Sequence, residues 1–83
     1  MPCYFFDVDD GERQTRDQDG LELRGPWEAR DMALAVLPDI ARDVIPRGDR
    51  RNIVSSVRDE RGEVMYTARL SLAAEWRVQP PPR

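Results

Sequence analysis

Residues 52–72 constrain this chain more tightly than any other part of it. Asn52–Arg58 is rich in β-branched residues, and Asp59-Glu60-Arg61-Gly62 has the aspartate-first, glycine-last pattern of a type I turn. After the turn, Val64, Tyr66, Ala68, Leu70 and Leu72 alternate with Met65, Thr67, Arg69 and Ser71, the period of a strand with one buried face. Two strands joined this way form an antiparallel hairpin, and the rest of the chain must supply a cover for its apolar face.

The cover is a helix. Gly25-Pro26-Trp27-Glu28 reads as its start, with glycine at the N-cap, proline at the first helical position and a carboxylate complementing the dipole. Ala29, Ala33, Val36, Leu37, Ile40, Ala41 and Val44 recur at the spacing of one helical face, so the helix is predicted to run to about Val44. Pro38 lies inside that pattern. It removes one backbone donor and predicts a kink, with two shorter helices as the alternative. Trp27 is expected to cap the core.

Upstream, Cys3–Val8 is short and aromatic and places Tyr4, Phe6 and Val8 on one face of a strand. Asp9-Asp10-Gly11 turns the chain into a polar edge strand over residues 12–17; Asp17-Gln18-Asp19-Gly20 turns it again, and Leu21 and Leu23 return toward the core. The order is ββαββ: an α+β unit with a four-stranded, mainly antiparallel sheet and one helix on one face. The opposite face, with Ser56, Thr67, Arg69 and Ser71, is expected to be mostly solvated. Residues 1–74 form the single domain, and residues 75–83, ending in Pro80-Pro81-Pro82-Arg83, form a tail of polyproline or irregular character.

Eighty-three residues bury little surface, so self-association is expected. The lone Cys3 cannot close an internal disulfide, and no apolar run approaches a membrane span or a secretory signal, so a cytoplasmic protein is expected. Residues 1–23 hold seven acids and two arginines, whereas residues 24–83 hold nine acids and eleven arginines. The net charge of −3 argues against nonspecific nucleic-acid binding.

The acidic stretch superficially has the oxygen-rich character of a cation loop. Counted from Asp7, glycine falls fifth and Gln18 twelfth, whereas a calcium loop of the EF-hand type needs glycine sixth and a bidentate glutamate twelfth. Turn formation is therefore favoured, and no metal or other cofactor is assigned. With histidine and lysine absent and Cys3 without a base, only carboxylate and divalent-metal chemistry through Asp7 with Asp9, Asp17 or Asp19 remains as an enzymatic alternative. The chain is read as noncatalytic. Its candidate contact residues are Arg50 and Arg51 in a small basic loop, Asp49-Arg50-Arg51, beyond the helix, Asp9 and Asp10 in the acidic turn of a neighbouring copy, and Trp76 in the tail, with Arg47 beside the first pair.

"MPCYFFDVDDG", "RDQDGLEL", "LPDIARDVIPRGDRR" and "VRDERGEV" together resemble a family of short bacterial proteins known only as a domain of unknown function. That resemblance implies a compact α+β unit and no particular activity. Tyr4-Phe5-Phe6, Asp9-Asp10-Gly11 and Glu28-Ala29 are also similar to small antitoxin domains of the HicB type. That likeness implies a toxin nuclease as partner, although the proline-rich loop before the helix is reduced to Gly25-Pro26 and no DNA-binding segment follows residue 72. The expected function is a binding or regulatory module acting through protein contacts, as a homodimer.

Overall fold

The computed structural model describes residues 1–83. Five strands and one helix follow in the order β1 (Cys3–Asp9), β2 (Gln14–Thr15), β3 (Leu21–Glu22), α1 (Pro26–Val44), β4 (Arg50–Arg58) and β5 (Val64–Ala73), with one 3-10 turn, Ile45–Arg47, after the helix. The sheet is antiparallel, in the order β2-β1-β4-β5, and β3 also pairs with β1. The fold is the expected α+β arrangement with one short strand more.

The predicted hairpin is β4–β5. Asp59 organises its turn: Asp59 Oδ1 accepts from the backbone N–H groups of Arg61 and Glu63, at 2.9 Å each, and the Gly62 N–H donates to the Asp59 carbonyl at 3.0 Å. Register fixes the faces. Val57 opposes Tyr66, Ser55 opposes Ala68 and Ile53 opposes Leu70, so these side chains share one sheet face with Tyr4, Phe6 and Val8 of β1, the face that the helix covers, while Leu70 at the outer edge stays exposed.

The helix starts and ends where its sequence signals lie, and it runs through Pro38 as one element. Pro38 and its neighbour Asp39 face solvent, so the ring falls on the wet side of the helix and not against the sheet. Glu28 accepts from the Arg24 N–H at 3.0 Å and pairs with the Arg24 guanidinium at 2.6 Å, which closes the helix start that Gly25 has no side chain to cap. Ala29, Ala33 and Ala41 lie buried against the sheet. Their small side chains let the helix approach closely, and the core divides into a Tyr4–Leu23–Ala29–Ala33–Val57 cluster and a Leu37–Ala41–Val44–Ile53–Ala68 cluster.

Three parts of the sequence reading change. The expected second strand over 12–17 shrinks to Gln14–Thr15, because Asp10, Arg13 and Asp17 are drawn into turns by side-chain bonds. Arg50 and Arg51 belong to β4 and not to a loop. Trp27 is 74% exposed: the helix start turns it away from the core that Tyr4 and Leu23 fill.

The face opposite the helix is not uniformly open. The turn before β3 folds onto its first third, so closely that a Cβ on Gly20 would stand 2.6 Å from Cys3 Sγ and 2.8 Å from Phe5 Cε2. Gly20 and Gly62 both hold positive φ, +74° and +86°, but Gly62 faces open space. Alanine at either position therefore loses about 1–2 kcal/mol to the left-handed backbone, and Gly20→Ala loses more because of the clash. Urea unfolding of the two variants should rank them in that order.

Candidate functional site

Asp7 stands in the middle of an aromatic strand, an uncomfortable place for a carboxylate without a partner. Arg58 supplies one. It lies across from Phe5 in the β1–β4 register and donates through Nε to Asp7 Oδ2 at 2.6 Å and through Nη2 to Asp7 Oδ1 at 3.1 Å, a bidentate pair. Nη2 also donates to the Asp17 carbonyl at 2.9 Å, and the guanidinium rests 5.1 Å from the centre of the Phe5 ring. Only 8% of Arg58 is exposed.

Asp17 completes the network. Its Oδ2 accepts from the Phe6 N–H at 3.0 Å, its Oδ1 accepts from Asp19 at 3.1 Å and Gly20 at 3.2 Å, and its own N–H donates to Asp7 Oδ1 at 3.0 Å. On the outer edge of β1, β3 pairs Cys3 and Tyr4 while β2 pairs Val8 and Asp9. The Asp17 carboxylate fills the gap between them, acting as a one-residue substitute for a strand. The Arg58 bond holds the Asp7 carboxyl below its ordinary pKa, with the Asp17 N–H adding to the effect, and the Phe6 N–H, then Gly20 and Asp19, do the same for Asp17.

The remaining acids of the opening stretch are committed to turns. Asp9 Oδ1 accepts from Gly11 at 2.9 Å and Asp9 Oδ2 from Gln14 at 3.3 Å. Asp10 Oδ1 accepts from Glu12 at 2.9 Å and Arg13 at 2.8 Å, which lowers its pKa. Asp7, Asp9 and Asp10 are each held by partners of their own, and no three metal-ligating side chains gather.

The candidate contact residues separate. Arg51 is largely covered, packed against Gly11 and Gly48, and donates to Glu12 at 2.6 Å, while Arg47 reaches the other Glu12 oxygen at 3.6 Å. The basic segment thus meets the acidic hairpin of its own chain. Arg50 is exposed, and so is Trp76, in the irregular segment after β5 where the Ala74 N–H donates to the Asp49 carbonyl at 2.8 Å.

Two further surface features stand out, of which only the first was not anticipated, since an exposed sheet edge was expected from the sequence. One is a cleft of about 540 Å³ between the first turn of α1 and the start of β5, lined by Pro26, Trp27, Arg30, Met65 and Tyr66 above Ala29 and Val57. The Arg30 guanidinium lies 5.7 Å from the Trp27 ring centre, and Met65 is half-exposed. The other is the outer edge of β5. It is ten residues long, pairs with no strand, and carries one charge, Arg69. Trp27 at a helix start was the sequence signal for the cleft, but its spacing suited core and surface equally. Arg58 was missed as well, although a carboxylate set among aromatic strand residues implies a buried cation.

Comparison with protein-family models matches residues 3–71 to the one described as Domain of unknown function (DUF6894). That span takes in the helix and all strands but the end of β5, and the chain belongs to this family. No curated protein and no solved structure matches. No helix is long and apolar enough to cross a membrane.

The network predicts a pH response. Folded-state pKa values below the unfolded ones mean that the stabilisation from Asp7 and Asp17 is complete above the ordinary carboxylate range near pH ~4. It is lost as pH falls through the lower folded values. Urea midpoints should therefore be flat at neutral pH and drop in acid, and Arg58→Met should both destabilise the chain and flatten that drop. Arg42→Met, which removes the exposed pair with Asp39, should do neither.

Proposed function

We propose that this DUF6894 chain is a noncatalytic protein-binding module that associates with itself through the outer edge of β5. The observation that carries the reading is the unpaired edge itself. Along its ten residues the alternate backbone donors and acceptors that do not bond to β4 point outward, no proline interrupts them, and the edge has Val64, Met65 and Leu70 exposed along it. Long edges are ordinarily blunted by several charges, by bulges or by a covering element; here the devices are sparse, a single bulge at Met65, where the β4 partners step from Tyr66 to Val64, and the single charge of Arg69. The opposite edge is treated differently, being covered by β2, β3 and the Asp17 carboxylate.

The small core supports the same reading. Four of its ten buried apolar residues are alanines, so a second copy adds burial that the monomer lacks. A cytoplasmic setting in a bacterial cell belongs to this proposal, since a lone, half-buried Cys3 fits a reducing compartment.

Sedimentation across a concentration series tests it. The parent chain should approach twice its monomer mass as concentration rises. Leu70→Lys, which sets a charge on the half-exposed edge, should return the mass to one chain with the far-ultraviolet circular dichroism unchanged. A parent chain that stays monomeric at its highest soluble concentration would refute the reading.

A further inference from the structure

We infer that the cleft beside Trp27 receives the proline-rich tail of a second copy, so that two chains exchange tails across the paired β5 edges. This deepens the self-association reading and rests on it.

The cleft has the chemistry of a polyproline site. Trp27 and Tyr66 offer aromatic surface, and Pro26 and Met65 extend it, around a volume of about 540 Å³. Aromatic grooves of this kind take polyproline helices because such segments are already extended and give up little entropy on docking. The chain carries such a segment in Pro80-Pro81-Pro82, exposed throughout and outside the residues that match the family. The charges agree as well. Residues 75–83 hold two arginines and one glutamate, a net +1, which leaves −4 on residues 1–74 from the total of −3. Asp31, paired with Arg30 at 3.2 Å, stands exposed in the depression on the other side of Trp27 and offers a second carboxylate oxygen to Arg77 or Arg83 of an incoming tail.

Reach decides between the chain's own tail and a partner's. The cleft lies at the start of β5 and the tail leaves from its end. Met65 and Ala73 are eight strand residues apart, about 27 Å. Ala73 to Pro81 is also eight residues, which span about 25 Å as polyproline before any residue is spent on reversing direction. The chain's own Pro80 and Pro81 fall short, Pro82 at about 28 Å spans the distance only if no residue is spent on the reversal, and the molecule is elongated, 55 Å by 20 Å by 17 Å. A partner's tail has no such deficit. When two β5 strands pair antiparallel with their ends aligned, the partner's Ala73 comes to lie about 5 Å from Val64. The six residues 74–79 then need only cross from the strand edge to the cleft that Met65 and Tyr66 line.

The test uses full-length chains and an intermolecular label. A nitroxide is placed on Gln79→Cys in a Cys3→Ser background, and this chain is mixed with an isotope-labelled chain carrying Trp76→Phe, in which Trp27 supplies the sole indole signal. Sedimentation of the same mixture reports association. A dimer in which the nitroxide abolishes the Trp27 indole signal, with the signal restored when Pro80, Pro81 and Pro82 are all replaced by alanine in the labelled tail, is the expected result. A dimer whose Trp27 signal is untouched, or is lost equally with the alanine tail, would overturn the tail exchange and leave the β5 contact standing. A monomer would overturn both.

Discussion

The bidentate bond between Arg58 and Asp7 determines which way the sheet faces. Side chains alternate along a strand, so a slip of one residue between β1 and β4 would carry Arg58 to the helix side and its charge into the apolar core. With Phe5 opposite Arg58, the guanidinium instead meets Asp7 on the far face and the carbonyl of Asp17 beside it. A buried ion pair is weak evidence for stability, since hydrophobic replacements are often as stable. It is strong as a register pin, because each misaligned alternative leaves a charge unpaired. The same bond anchors the Asp17 turn, whose carboxylate closes the gap in the outer edge of β1. The acidic opening thus acts as scaffold, and the sheet is left with one long free edge, at β5.

That asymmetry joins packing to function. The helix sits chiefly over β4 and the core is rich in alanine, so β5 is covered on one side only near Tyr66 and Ala68. A thin core and an uncovered strand are one condition seen from two directions: apolar area that the monomer cannot bury remains at Val64, Met65, Leu70 and Trp27. Association along β5 would pair its backbone and bring a second set of apolar groups to the cleft.

Much of the fold was legible because period and punctuation agree. Residues 64–72 alternate strictly and follow a turn with aspartate and glycine in their favoured places; residues 29–44 repeat at helical spacing after Gly25-Pro26. Pro38 was legible as a perturbation but not in its outcome, since whether a proline splits a helix depends on which face it occupies. The short strands β2 and β3 were blurred because side-chain bonds from Asp10 and Asp17 override backbone pairing there. The interaction surfaces were least legible. Arg51 resembled a free cation until its partner Glu12, 39 residues away, was in place, and Trp27 differs from a core tryptophan only in the direction that the helix start gives it. Long-range placement of this kind leaves no local pattern.

The most direct measurement for this account is amide hydrogen exchange along β5 at low and high protein concentration. The amides that bond to β4 should be protected at both. The alternate amides, which point outward from the edge, should exchange freely when dilute and become protected as concentration rises. Outward amides that exchange at the same fast rate at every concentration would contradict the claim that this edge joins two copies.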